Sequence, residues 1–187
     1  MINKIYILKS DTKNYASFIQ DYDPDKTESI IGLAMDQKWK AFEKYEPIAL
    51  ELDKSDTGKK NYKFDFSGSL SPFYILSQQA LEKLDNIVSL KGQILPVITE
   101  SKQKKFFGYY PTNPLAGCLD REKSIYSETE RGLIVDKPVL IAKNITEEYI
   151  FSIEEDIGWV FVTDKFKQRV ENAGLLAFDF SREIELS

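Results

Sequence analysis

The chain has 187 residues, with 25 Lys and Arg against 30 Asp and Glu, for a formal net charge of −5. Its 42% hydrophobic and 13% aromatic content, with only 9 Gly and 7 Pro, is that of a folded globular protein rather than a disordered segment. It contains no histidine, which excludes Ser-His-Asp and Cys-His machinery and every histidine metal ligand.

Residues 4–9, Lys-Ile-Tyr-Ile-Leu-Lys, form a short run of strand formers closed by the turn chemistry of Ser10-Asp11. Trp39, Phe42 and Tyr45 then suggest a short helix ending before Pro47, followed by a strand from Ile48 to Leu52. Asp53 to Asn61 holds only polar residues and Gly, so it reads as a surface loop open to cleavage. Beyond Phe64-Asp65-Phe66 and the connector Ser67 to Pro72, a strand is expected over Phe73 to Leu76. Ser77 is a candidate N-cap for a helix whose apolar positions Leu81, Leu84 and Val88 repeat at helical spacing, with Lys91-Gly92 as its ending. Ile94 to Ile98 is a further strand, and Pro96, which cannot donate to a ladder, predicts an edge or bulged position for it. Phe106 to Tyr110 should pair with it as a hairpin arm. Near the end, Ile157 to Val162 reads as a strand, and Thr163 or Asp164 caps a helix with Phe166, Val170 and Ala173 on its apolar face. Gly174 stops that helix, and Leu176, Phe178 and Phe180 alternate in a last strand. The expected fold is α+β: one domain over 1–187, with residues 67–187 reading more regularly than 1–66. It should carry a mixed, largely antiparallel β-sheet, a few short helices and a C-terminal strand-helix-strand unit.

The single cysteine, Cys118, cannot form an internal disulfide and fits a reducing compartment. The first apolar run, Ile5 to Leu8, is shorter than the roughly 7–15 residues of a signal-peptide core or the ~20 of a membrane span, so a cytoplasmic location without membrane contact is expected. The acidic balance argues against a general nucleic-acid binder, whose affinity would come from clustered Lys and Arg.

Several short motifs carry a chemical reading beside a plainer one. Asp23-Pro-Asp25-Lys26-Thr27 has the spacing of phosphoryl-transfer nucleophiles but does not follow a buried strand. Asp21, Asp23 and Asp25 begin like a calcium loop, yet Lys26 stands where Gly must turn the chain and Gly32 where a bidentate Glu is needed. Asp56-Thr57-Gly58 matches the aspartic-protease triplet, without the second copy that chemistry requires. Glu100-Ser101-Lys102 has the acid-x-lysine form of metal-dependent nuclease sites, with Asp65 or Asp85 as the further carboxylate such a metal needs. Lys102 to Tyr110 interleaves lysines and rings as nucleic-acid stacking platforms do, but Phe106 stands where the common RNA-binding strand motif wants Gly, so a hairpin turn running into a half-buried aromatic strand is the favoured reading. Trp39, Tyr109, Tyr110 and Trp159 are interface candidates, because aromatic rings give contact area at low entropic cost, with core packing as the competing role.

Taken in order, the segments resemble a family of immunity proteins from bacterial polymorphic-toxin and contact-dependent competition systems, first catalogued as a domain of unknown function. The resemblance is carried by Ile5 to Lys9, Trp39 with Pro47, Asp65-Phe66, and Phe73-Tyr-Ile-Leu-Ser77 running into Gln79 to Leu84. It continues through Ile94-Leu-Pro-Val97, Tyr109-Tyr110, Thr112-Asn113, Cys118-Leu-Asp120 and Ser124. It closes on Ile150-Phe-Ser-Ile153, Val160 to Asp164, Phe166 to Leu175, and Phe178. It implies a small protein that binds a cognate toxin domain and blocks its active site, with no catalysis, no cofactor and no nucleic-acid partner. An acidic inhibitor suits a basic toxin, since opposite charge accelerates encounter. Asp21 to Glu28, and Glu154, Glu155 and Asp156 beside Trp159, are the segments that would supply acid next to an aromatic anchor. The alternative, from a different class, is a metal-dependent hydrolase or nuclease using Asp65, Glu100 and Lys102.

Overall fold

The computed structural model describes residues 4–25, 27–147 and 149–187. The short N-terminal strands are β1 (Ile5–Ile7), β2 (Lys9–Ser10) and β3 (Ser17–Gln20), followed by helix α1 (Ile30–Gln37). Then come β4 (Ile48–Asp53), β5 (Phe66–Ser67), β6 (Tyr74–Ser77), α2 (Gln78–Val88), β7 (Gly92–Thr99), β8 (Phe106–Pro111) and β9 (Pro114–Leu115). The remainder is β10 (Ile125–Thr129), β11 (Gly132–Lys137), β12 (Val139–Leu140), β13 (Ile150–Ile153), β14 (Asp156–Thr163), α3 (Asp164–Asn172), β15 (Phe178–Asp179) and β16 (Glu185–Leu186). With 17% of residues in helix and 37% in strand, the fold is α+β and mainly β.

Two mixed sheets dominate. One has six strands in the order β3-β4-β7-β8-β6-β5, and the other four in the order β1-β14-β13-β9. Pairing is antiparallel except at β4–β7, β9–β13 and β12–β16. Alternation along each strand sends side chains to opposite faces, so each sheet borders two layers of core. Between the sheets lie Leu76 and Tyr109 from one, Val160 and Val162 from the other, and the apolar stripes of α2 (Ala80, Leu84) and α3 (Phe166, Val170). The other face of the larger sheet buries Phe18, Leu50, Leu95, Phe106 and Tyr110 against α1. The other face of the smaller one buries Ile5, Phe151 and Phe161 with Cys118 and the β11 residue Val135.

Local chemistry explains several boundaries. The Ser77 hydroxyl accepts from Ala80 N at the start of α2, and the Thr163 hydroxyl from Phe166 N at the start of α3. Gly174 takes φ 66 just after α3, as a helix-terminating residue should.

Four sequence expectations need correction. The N-terminal helix is residues 30–37, not the Trp39–Tyr45 segment. Lys38 and Trp39 take φ 46 and 64, which stops it, while Phe42 is held in a loop by paired hydrogen bonds with the Gln93 amide. Gly92 does not end α2, whose C-cap is Ser89. It opens β7, where a Cβ would stand 2.4 Å from the Tyr109 ring. Strand β7 is internal rather than at an edge. It pairs with β8 through Gly92 to Pro96 and with β4 through Val97 to Thr99, so Pro96 sits where one partner hands over to the other. Finally, the run from Leu176 to Phe180 is broken by Ala177 at φ 76, leaving only β15, which pairs with β2.

Candidate functional site

The acidic turn 154–156 connects β13 to β14, and its residues have separate fates. Asp156 is a structural acceptor. One carboxylate oxygen takes the Val135 N–H at 2.9 Å and the other the Gly158 N–H at 2.8 Å. The Trp159 indole N–H donates to the Val135 carbonyl at 2.9 Å. Both backbone groups of Val135 on β11 are thus held by side chains of β14, which fastens the β10–β11 hairpin to the turn. The Trp159 ring is only half-buried, stacked on Phe161 at 5.9 Å with the Arg182 guanidinium 5.4 Å from its centroid. Glu155 turns one oxygen inward to a buried position with no hydrogen-bond partner. Burial, and secondarily the charge of Glu155, push the Cys118 thiol up to about 11, so this cysteine is an inert apolar residue. Glu154 alone among the three is exposed.

The hairpin beside this turn extends the surface. Residues Thr129 and Gly132 pair across the two-residue turn Glu130-Arg131, and Ser127 stands opposite Ile134. Ile125 and Ile134 are 58% and 51% exposed, and Glu128, Glu130, Arg131, Asp136 and Lys137 are exposed on the same hairpin. Carboxylates, two aliphatic side chains and one half-buried indole therefore share one end of the molecule. This hairpin was missed from sequence. Its alternation of Tyr126 against Leu133 and Val135 was the available signal, but charged residues dilute it.

The other aromatic candidates are not surface groups. Tyr109 and Tyr110 are 1% and 0% exposed. The Tyr110 hydroxyl accepts from Trp39 N and donates to Ala34 O, both at 2.8 Å, so it closes the end of α1. Burial, against the opposing effect of that backbone hydrogen bond, raises its phenol to about 12. Trp39 is half-buried, with its indole nitrogen enclosed and without a partner. Tyr109 packs between the two sheets and Tyr110 on the opposite face of β8 against α1, so neither ring is open to a partner. Phe106 is buried as well, so the rings from Phe106 to Tyr110 do not form a platform on which bases could stack.

Asp65, Glu100 and Lys102 are divided by the fold. Asp65 is 3% exposed. One oxygen accepts from Ser77 Oγ at 2.7 Å and pairs with Lys104 Nζ at 2.8 Å, and the other accepts from Leu176 N at 2.9 Å. Burial by itself raises its pKa, but the bonds from Lys104, Leu176 and Ser77 outweigh it and hold the carboxyl below its ordinary value. Glu100 and Lys102 are exposed and line an open depression with Tyr62, Lys63 and Lys104. Among the described residues, no group of three or more Cys, Asp or Glu is placed to hold a metal ion.

The segment from Asp21 to Glu28 is an exposed turn before α1, where Asp23 Oδ1 accepts from Asp25 N. Lys26 lies outside the described residues. Asp56-Thr57-Gly58 is a surface turn tied to Thr12 and Lys13 by backbone bonds. No helix among the described residues is long and apolar enough to cross a membrane. No protein-family model matches the chain, and no curated protein matches it either.

Proposed function

We propose that this chain is an immunity protein: a cytoplasmic, non-catalytic binder that neutralises a cognate toxin domain by covering its active site. The family reading rests on the ordered segments from Ile5 to Phe178. The structural observation that supports it is the end of the molecule formed by Glu154, Trp159 and the β10–β11 hairpin. There, exposed Ile125 and Ile134 lie on a hairpin that also carries exposed Glu128, Glu130 and Asp136 together with Arg131 and Lys137, and the turn is stiffened by Asp156 and Trp159 through Val135. A rigid apolar centre whose rim carries four exposed carboxylates, Glu128, Glu130, Asp136 and Glu154, against Arg131 and Lys137 suits a basic protein partner, because a preorganised surface loses little entropy on binding and opposite charge steers the encounter. Asp65, sealed by Lys104, Ser77 and Leu176, supports a structural role for that carboxylate rather than the hydrolase alternative.

The test is co-expression with candidate toxin domains encoded in the same genome. One of them should be neutralised and recovered as a stoichiometric complex. The combined reversal of Glu154, Glu128 and Glu130 to Lys should then slow association by roughly tenfold at low salt and much less at high salt. Failure to neutralise any such domain, or an on-rate untouched by the reversal, would sink the reading. Asp156 is left out of that variant because it carries the turn.

A further inference from the structure

A sheet edge presents unpaired N–H and C=O groups, and this chain closes the edges of both large sheets with its own residues. The edge strands of the six-stranded sheet, β3 and β5, are tied to each other by the Phe18 N–H, which donates to the Ser67 hydroxyl at 3.0 Å. In the four-stranded sheet the outer edge of β1 is taken by the C-terminal segment. There Ile7 N–H donates to Arg182 O at 3.2 Å, and Ile184 N–H to Ile5 O at 2.8 Å. At the opposite edge β9 begins with Pro114, which has no N–H to offer.

The β10–β11 hairpin belongs to neither sheet, and its two edges differ. On β11 the N–H and C=O of Val135 point away from β10, where Asp156 and the Trp159 indole bind them at 2.9 Å each. Tyr126 stands opposite Val135, so the two form a non-hydrogen-bonded pair and the Tyr126 N–H and C=O point outward from β10. Glu128, opposite Leu133, does the same two residues on. None of these outward backbone groups on β10 bonds to any described residue. The irregularity in register leaves its extra residue, Asp136, on β11, so β10 itself is a regular strand. Ile125, Ser127 and Thr129 are exposed along one side of it.

The open edge selects its occupant by backbone chemistry. An extended strand offers its own N–H and C=O groups at the same two-residue spacing of roughly 6.8 Å. A helix has spent those groups internally, and a DNA backbone has acceptors for the N–H groups but no donor for the carbonyls. Charge does not make this choice, because Glu128, Glu130 and Asp136 share the hairpin with Arg131 and Lys137. A third strand would also cover Ile125 and complete a sheet that is marginal with two strands.

We propose that β10 is extended by a β-strand of the partner protein, paired to the outward N–H and C=O groups of Tyr126 and Glu128. This deepens the reading of this end as a toxin-binding surface and rests on it for the identity of the partner.

The experiment titrates the full chain with a synthetic peptide of about eight residues alternating Val and Lys, and with the same peptide N-methylated throughout. Methylation keeps the charge and side chains and removes the N–H donors. The unmethylated peptide should slow amide exchange at Tyr126 and Glu128 and bind roughly tenfold more tightly than the methylated one. Glu128→Pro deletes one outward N–H without touching the bonds between β10 and β11, since Pro is tolerated where an edge N–H faces solvent. It should weaken the peptide by roughly tenfold, whereas Glu128→Gln, which keeps the N–H, should weaken it by about threefold at most. Amide exchange at Ser127 and Thr129 checks that the hairpin persists, and if it does not, the methylated peptide on the native chain decides. Equal binding of the two peptides, no binding, protection confined to other strands, or full binding by an intact Glu128→Pro variant would each overturn the proposal. A toxin domain neutralised equally by the native chain and by Glu128→Pro would also overturn it, while leaving the immunity reading in place. Failure to neutralise any toxin domain sinks that reading and leaves the peptide titration as the judge of strand pairing.

Discussion

Asp65 and Glu154 each adjoin an apolar strand residue in the sequence, Phe66 and Ile153, and the fold treats them in opposite ways. Asp65 is enclosed where the start of α2, the β7–β8 hairpin and the chain after α3 meet, and it accepts from one donor on each. Glu154 stands at the tip of a turn whose donors are already taken by its neighbour Asp156. The difference shows that acidity in sequence says little about availability. A carboxylate supplied with three donors is a joint of the structure, and one left without donors is open to a partner.

The sharpest way to break this comparison is to remove the joint. Asp65→Ala leaves Ser77 Oγ and Leu176 N without their acceptor and Lys104 Nζ with the Phe64 carbonyl but no counter-charge, and should destabilise the protein by about 3 kcal/mol, because an unpaired buried partner is costly. Chemical denaturation measures this, and a loss within the noise of a surface substitution would show that Asp65 is dispensable. Its titration gives a second, smaller effect. The folded pKa lies below the unfolded value of about 3.9, so the stabilisation is complete above that value and is lost as pH falls through the folded one. Stability of the native chain should therefore fall as pH drops below about 4, and Asp65→Asn should flatten that part of the profile. An unchanged acid limb would place the titration elsewhere.

How far each region could be read in advance follows the same division between local and distant causes. Helices α2 and α3 were legible because Ser77 and Thr163 cap them locally, and their apolar spacing is set by the same few turns. Helix α1 was not, since its end depends on Lys38 and Trp39 at positive φ and on the Tyr110 hydroxyl, which is remote in sequence. Pro96 pointed to an edge because its missing N–H is a local fact, whereas the handover from β8 to β4 is a property of the whole sheet. In the same way, the acid turn was visible as Glu154, Glu155 and Asp156, but nothing nearby shows that Asp156 would reach across to Val135.

The smallest effects sharpen the contrast within that turn. Asp156→Ala removes two hydrogen bonds to a charged acceptor and should cost about 2 kcal/mol, with faster amide exchange at Val135 as the β10–β11 hairpin loosens. Glu154→Gln, two positions away, should change stability by less than about 0.5 kcal/mol, because its side chain is exposed. Hydrogen exchange at Val135 separates the two roles directly. If both variants loosen the hairpin equally, the turn acts as one electrostatic unit and the division between joint and free carboxylate fails. If only Asp156→Ala does so, Glu154 can be altered for binding studies on an unchanged framework.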